Sequence, residues 1–366
     1  MKKFRIGRVS SYPTDIFNKV GFQPFVISNS KNYITYYASP KIDGVPLVSS
    51  KNLILKRFGE IGYKKFFNYN FLKFSGYLLR FIKVLIFNFN VIWFFKNKKL
   101  NIIHIHSPMY LLIALWAKVM KKQVFISFHG EDFHLIQKSY VYKFFSFLFD
   151  GVFAISSHML DRLNEIHSCP VYYIGNGIDL KFFKNLKMKR KKQIVFVASF
   201  KKVKRHISVI NGFVKLIENE RFSNYNLLLI GVGNLEDELK NYVAKNNFKN
   251  ILFLGQKTSK DLVKYYNDSE IFILNSEREG FPKVVLEAMS CGCLVVSTKV
   301  GSIPSIFGKN YPFYIESQEP KHISNCLQKA ILKISEANEY NSVVENYSWE
   351  AVEDKFYNIY NTTLNV

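Results

Sequence analysis

The sequence predicts an α/β protein built from two doubly wound parallel-sheet domains, and three observations carry that prediction. The chain has 366 residues, 48% of them hydrophobic, more than one hydrophobic core usually serves. Nine short, continuously apolar runs recur along it, a pattern of strands buried on both faces. Helical-looking segments separate the runs, which is the alternation of βαβ units.

Taken in order, the runs are IIHIH (Ile102 to His106), VFISF (Val124 to Phe128), VFAIS (Val152 to Ser156) and VYYIG (Val171 to Gly175) in the first half. In the second half they are IVFVASF (Ile194 to Phe200), NLLLIG (Asn226 to Gly231), ILFLG (Ile251 to Gly255), IFILNS (Ile271 to Ser276) and LVVST (Leu294 to Thr298). Between the halves, DLKFFKNLKMKRKKQ (Asp179 to Gln193) is rich in Lys and Arg and reads as an exposed linker. The start, MKKFRIGRVSS, has no apolar run long enough for a signal-peptide core, so nothing there points to export.

Charge and cysteine content narrow the function classes. With 51 Lys and Arg against 28 Asp and Glu, the formal charge is +23, which suits a polyanionic neighbour: nucleic acid, anionic lipid or a phosphorylated substrate. Cys169, Cys291, Cys293 and Cys326 form neither a CxxC pair nor a zinc spacing, so no disulfide framework or metal site is indicated and a reducing cytoplasm fits best.

In doubly wound folds ligands sit beyond the carboxyl ends of the strands. Four loops there carry candidate chemistry: HGED with His129, NGID (Asn176 to Asp179), KKVKRH (Lys201 to His206) and EREGFP with Glu279. Pro282 fits a first helical position and Gly292 a helix stop, so a helix with free leading N–H groups would face the strand ends. Glu279 in the loop and Glu287 on the helix can each accept hydrogen bonds from hydroxyls, or can simply be acids favoured by the helix dipole. Lys201, Lys202, Lys204 and Arg205 open a helix, where cations oppose the dipole; an anion such as a diphosphate explains them, and so does a solvated charge run. The turn holding Gly231 and Gly233 follows a strand but lacks a full dinucleotide fingerprint.

Together these segments resemble the GT-B glycosyltransferases of glycosyltransferase family 4. EGFPKVVLEAM carries two acids with seven residues between them, Glu279 and Glu287; IHIHSPMY, FHGED, AISSHMLDRL and IGNGIDLKFF stand upstream of it in the expected order, and LVVSTKVGSIPSI and YSWEAVEDKFYNIY downstream. The resemblance spans nearly the whole chain and is strongest from Ile194 to Ile306. It implies two Rossmann-like domains facing a central cleft: residues 1–185 for the acceptor, residues 186–345 for a nucleotide sugar, and residues 346–366 as a helix crossing back to the first domain.

The resemblance also assigns parts. Glu287 would bind the ribose hydroxyls, Glu279 the donor sugar, and the backbone N–H groups of Gly280, Phe281 and Lys283 the sugar and phosphates. Gly231 and Gly233 would also lie on the donor side. His129 would sit near the donor sugar and Lys257 near the base. Lys204 matches the family's phosphate-binding lysine, but Ser199 stands at the position of its arginine, so Lys201 or Arg205 would have to supply the second cation. The usual glutamate after the family's Gly-Gly-x-Pro turn is Ser305 in GSIPS, and the usual Gly-Gly acceptor loop is represented by Gly21 alone. The implied reaction is retaining sugar transfer with no metal and no cofactor beyond the nucleotide-sugar co-substrate.

For the acceptor, the implied partner is a lipid-linked or cell-envelope saccharide, as in polysaccharide, lipopolysaccharide, O-antigen or capsule biosynthesis. Between Asp43 and Glu131 the only acid is Glu60, while lysines, arginines and aromatics accumulate in YKKFFNYNFLKFSGYLLRFIKVLIFNFNVIWFFKNKK. Arg80 and Lys83 interrupt it, so it reads as an interfacial segment or a Lys-rich packed helix rather than a membrane span. The interfacial reading would put the protein on the cytoplasmic, inner face of the plasma membrane, against anionic lipid. The rival readings are a sugar-nucleotide 2-epimerase on the same fold, a non-catalytic scaffold, and a basic nucleic-acid binder or nucleic-acid glucosyltransferase. No nucleic-acid partner is expected, since no helix-turn-helix or similar reader is present.

Overall fold

The computed structural model describes residues 3–10, 30–41, 50–59, 74–128, 136, 139–337 and 341–364. They form two units, Met1–Gly175 together with Trp349–Val366, and Asn176–Ser348. Each is an α/β layer structure on one parallel sheet.

The first sheet has seven strands: β1 (Arg5–Val9), β2 (Ile34–Pro40), β3 (Leu53–Phe58), β4 (Ile102–Ile105), β5 (Gln123–Phe128), β6 (Gly151–Ala154) and β7 (Val171–Tyr173). Their order is β3-β2-β1-β4-β5-β6-β7, and every pairing is parallel. The last four are the apolar runs expected from the sequence. The first three were not foreseen, because RIGRV, ITYYASP and LILKRF mix polar residues into the strand and hide the apolar signal.

Arg8 shows how such a residue is accommodated. Its side chain is fully buried on β1 and donates through Nη2 to the Tyr360 hydroxyl at 2.9 Å. That hydroxyl also lies 2.6 Å from His104 Nδ1, and His104 Nε2 lies 2.7 Å from Ser127 Oγ. Tyr360 belongs to the last helix, Trp349–Leu364, whose Trp349, Val352, Phe356 and Tyr360 form a buried stripe against Phe4, Ile6, Ile102, Phe125 and Phe153. A helix separated in sequence by the whole second unit thereby completes the core of the first.

The second sheet has six strands: β8 (Lys191–Val197), β9 (Asn226–Ile230), β10 (Ile251–Gly255), β11 (Ser269–Leu274), β12 (Leu294–Thr298) and β13 (Tyr314–Ile315). Their order is β10-β9-β8-β11-β12-β13, again all parallel. The chain winds outward through β9 and β10, then returns to the far side of β8 to lay down β11. The switch point therefore lies between β8 and β11, which pair through Ile194 with Ile271 and Val195 with Phe272.

The expected linker is a correction. The unit boundary falls at Gly175, and much of the Asp179 to Gln193 stretch is fastened to the second unit. Phe183 is in its core, the Leu186 N–H donates to Asn267 Oδ1 at 2.7 Å, and Asn267 Nδ2 donates to the Lys184 carbonyl at 3.1 Å. Arg190 donates to the carbonyls of Tyr266 (3.0 Å), Ser269 (2.6 Å) and Cys291 (2.6 Å). Composition cannot show this, because the fastening runs from side chains to backbone groups far away in sequence.

Replacing Tyr360 by Phe should destabilise the first unit by about 2 kcal/mol or more, since a buried guanidinium and imidazole each lose a partner. Chemical denaturation of the two proteins measures it; a difference near zero contradicts the role given to this hydroxyl.

Candidate functional site

Because β8 and β11 are neighbours, the loops leaving their carboxyl ends must run side by side. After β8 the chain makes a short 3₁₀ turn at Lys202–Lys204 and passes through Arg205 in the left-handed region (φ 50°) before the helix His206–Ile217. After β11, Asn275 and Ser276 are fully buried and the loop to Pro282 precedes the helix Lys283–Ser290. The two loops are stitched by the Glu277 N–H donating to the Val203 carbonyl at 2.8 Å.

That stitch brings Lys204 to Glu279. Their side chains form an ion pair at 19% and 13% exposure, and the same Glu279 oxygen accepts the Ser276 hydroxyl at 2.6 Å. A partly desolvated carboxylate held by a cation and a hydroxyl is oriented before any ligand arrives. Ser276 is anchored in turn, its carbonyl accepting from Thr298 Oγ1 at 2.8 Å, while Asn275 and Gln318 exchange two amide hydrogen bonds at 2.8 and 2.9 Å.

The backbone around Glu279 is confined on one side and open on the other. Gly301 (φ 55°) lies so close that a Cβ there would come within 2.4 Å of the Glu279 carbonyl oxygen, and the Ser302 N–H donates to the Gly280 carbonyl at 3.1 Å. A Cβ on Gly280, by contrast, would project into open space. A ligand can therefore approach the main chain at Gly280 closely.

Glu287 lies one turn into the helix and is buried, at 4% exposure. The Tyr266 hydroxyl donates to its Oε2 at 3.2 Å. Burial first, and then this neighbouring carboxylate, push the Tyr266 phenol well above its ordinary pKa, so it stays a donor. Pro282 is a correction: it occupies the N-cap, one residue before the helix, with φ −78° and ψ 89° and no side-chain cap. Phe281 packs on Tyr347 at 5.7 Å between ring centroids, and Lys283 is half-buried at the first helical position.

The remaining predicted residues divide. Lys201 is exposed, and Arg205 reaches Glu277 at 3.9 Å. Lys257 lies 6.0 Å from the ring centre of Tyr265. The Gly231 N–H is already donated to the Gly255 carbonyl at 3.0 Å, and a Cβ on Gly231 or Gly233 would strike the backbone of Ala198 or Phe200 at 2.0 to 2.4 Å. Those two glycines thus serve the close packing of the β8 and β9 loops, and the Gly231 N–H is committed. His129 and Gly21 lie outside the described residues.

Sequence reasoning missed Ser276, Tyr266 and Gly301 as parts of this site. The only signal for them was local: Ser276 ends a strand three residues before an acid, and Gly301 opens a Gly-x-x-Pro turn. It also missed His206, buried between Phe196 and Phe200 with both ring centroids 4.6 Å away. Burial, and then the charge of Lys204, lower its pKa to about 4.

Residues 57–182 match the family model described as Glycosyltransferase Family 4, and residues 177–349 the model described as Glycosyl transferases group 1. An uncharacterized glycosyltransferase of Methanocaldococcus jannaschii is 25% identical over 70% of this chain and 73% of its own. The N-acetyl-alpha-D-glucosaminyl L-malate synthase of Bacillus anthracis is 26% identical over 58% and 60%, and a capsular polysaccharide biosynthesis glycosyltransferase of Staphylococcus aureus 28% over 42% and 43%. Among solved structures, the sucrose-phosphate synthase from Thermosynechococcus elongatus covers 99% of this chain and 100% of its own with a TM-score of 0.73 at 16% identity, a likeness of fold.

His206 gives a pH prediction. With the folded pKa below the unfolded one, the unfolded chain alone takes up the proton between about pH 6.5 and 4, so this residue's contribution is complete above 6.5 and falls away towards 4. His206→Leu should flatten that part of the stability profile in acid titrations followed by circular dichroism; an unchanged profile contradicts the assignment.

Proposed function

The chain belongs to the GT-B glycosyltransferases of the family 4 type, and from that premise we propose that it moves a sugar, with retention at the anomeric carbon, from a nucleotide sugar to a lipid-linked or cell-envelope saccharide. The observation that carries the donor half is the Lys204–Glu279–Ser276 cluster at the β8/β11 switch point, beside a helix bearing buried Glu287.

Glu287 keeps lone pairs beyond the one satisfied by Tyr266, and a buried carboxylate is costly unless hydroxyls or cations complete its shell. Ribose hydroxyls fit that need. Glu279 takes the donor-sugar hydroxyls, and the backbone N–H groups of Gly280, Phe281 and Lys283 take the sugar and phosphates. His129 is assigned beside the sugar and Lys257 beside the base, in keeping with the family resemblance.

When the sugar–phosphate C–O bond breaks, its electron pair stays on the departing diphosphate, and the acceptor hydroxyl oxygen forms the new bond as its proton passes to an oxygen of that diphosphate. Lys204 and neighbouring cations stabilise the growing negative charge, being placed before the reaction begins. This reading assigns that work to side chains and N–H groups and calls on no cofactor. For Lys204→Ala, turnover should fall by about two orders of magnitude or more in a folded protein. A thermal-shift panel of nucleotide sugars names the donor, since a ligand at 100 times its Kd stabilises by ~2.7 kcal/mol. Unchanged turnover sinks the role of Lys204, and isomerisation of the donor in the absence of an acceptor favours the epimerase instead.

The acceptor half rests on the first unit. In the helix Phe74–Phe95, Phe87, Val91 and Phe95 are buried, while Leu79, Ile82, Ile86, Phe89 and Trp93 form an exposed stripe at alternating spacings of three and four. Leu115 and Val119 of the helix Leu111–Val119 are also exposed. Lys56 lies 5.5 Å over the Trp93 ring, and Lys83 and Lys96 are exposed nearby in sequence. No described helix is long and apolar enough to cross a membrane. An apolar stripe flanked by cations on a strongly basic chain suits the interface of an anionic leaflet, where a lipid-linked acceptor would be presented. The protein should co-sediment with phosphatidylcholine vesicles containing phosphatidylglycerol at moderate salt, and Ile86→Glu with Trp93→Glu should release it. Absence of binding by the unmodified protein removes the membrane reading.

A further inference from the structure

We propose that Arg205 is the second diphosphate cation of this chain, in place of the arginine that the family resemblance expects at Ser199. The inference rests on the nucleotide-sugar reading above and selects between Lys201 and Arg205.

The first observation is backbone geometry. Arg205 has φ 50° and ψ 44°, a left-handed conformation that Cβ disfavours and glycine takes freely. Four other described non-glycine residues have positive φ: Lys99, Lys121, Lys187 and Asn247. Arg205 differs from them in standing at a helix start on a strand-end loop. Its surroundings hold it there. The Lys204 and Arg205 N–H groups donate to the carbonyls of Lys201 (2.9 Å) and Lys202 (3.0 Å), the Val209 N–H donates to the Arg205 carbonyl (3.3 Å), and the next residue, His206, is fixed between Phe196 and Phe200. A strained residue over-determined by its neighbours is the pattern of a functional position.

The second observation is where the side chain goes. The guanidinium reaches Glu277 at 3.9 Å, two residues before Glu279 on the stitched loop, and is about one-third exposed. It is therefore steered towards the donor loop, yet at that distance is only loosely engaged and can turn to a stronger anion. Lys204 is already matched by Glu279, so one lysine alone leaves a diphosphate under-neutralised. Ser199 is neutral, and Lys201 extends into solvent, where a flexible ammonium contributes less than a preorganised, bidentate guanidinium.

Isothermal titration with UDP, GDP and ADP, each beside its nucleoside, tests this. For the diphosphate that the unmodified protein binds, Arg205→Gly should weaken affinity at least tenfold, leave the nucleoside unaffected and leave Tm unchanged or higher. Arg205→Lys should recover part of the affinity, and Lys201→Ala should lose less than Arg205→Gly. Full diphosphate affinity in Arg205→Gly, or an equal or larger loss in Lys201→Ala, overturns the assignment. If the unmodified protein binds none of the three diphosphates, the nucleotide-sugar reading falls first, and this inference with it.

Discussion

The ion pair between Lys204 and Glu279 is the interaction on which the candidate site depends. Neither partner is placed by its own local sequence. Lys204 sits in a 3₁₀ turn after β8, Glu279 in a loop after β11, and the two meet because those strands are adjacent and parallel although 71 residues of chain separate Val197 from Ser269. A half-buried pair of this kind adds little to stability once desolvation is counted. Its value lies in orientation: with Ser276 also bound, the Glu279 carboxylate has its direction set in advance.

Support for that orientation spreads outward in layers. Ser276 is held through its carbonyl by Thr298 on β12, and Asn275 by Gln318 beyond β13, so the pairing of three neighbouring strands fixes one carboxylate. Gly301 closes the opposite side by letting one loop lie against another without a Cβ between them. Glu287 is fixed separately, by a tyrosine on the helix Ser259–Asp268. The two glutamates thus answer to different supports, which suits two different hydroxyl-bearing parts of one ligand.

The first unit spends its polar interactions differently. Arg8, His104, Ser127 and Tyr360 link β1, β4, β5 and the last helix in its interior. A buried network of this kind fixes which face of the returning helix meets the sheet, since a rotation would leave a guanidinium and an imidazole short of partners. On the exposed side, Ile82, Ile86, Phe89 and Trp93 of Phe74–Phe95 and Leu115 and Val119 of Leu111–Val119 carry no such specification.

The fold class, the nine apolar strands and the helix stop at Gly292 were legible in the amino-acid sequence, because continuous burial and turn chemistry are local signals. It also pointed to Lys204 and Glu279 in strand-end loops and to Glu287 on the helix that follows, since those residues stand in a recognisable order. It left open whether the glutamates face water, it misread the Asp179 to Gln193 segment, and it missed strands β1 to β3 and β13. The tertiary structure decided those points. Burial of Glu287, the pairing of Lys204 with Glu279, the anchoring of Arg190 on three distant carbonyls and the acceptance of Arg8 inside a sheet all depend on partners far away in sequence. Such partners leave no periodicity behind, so only the folded chain brings them into view.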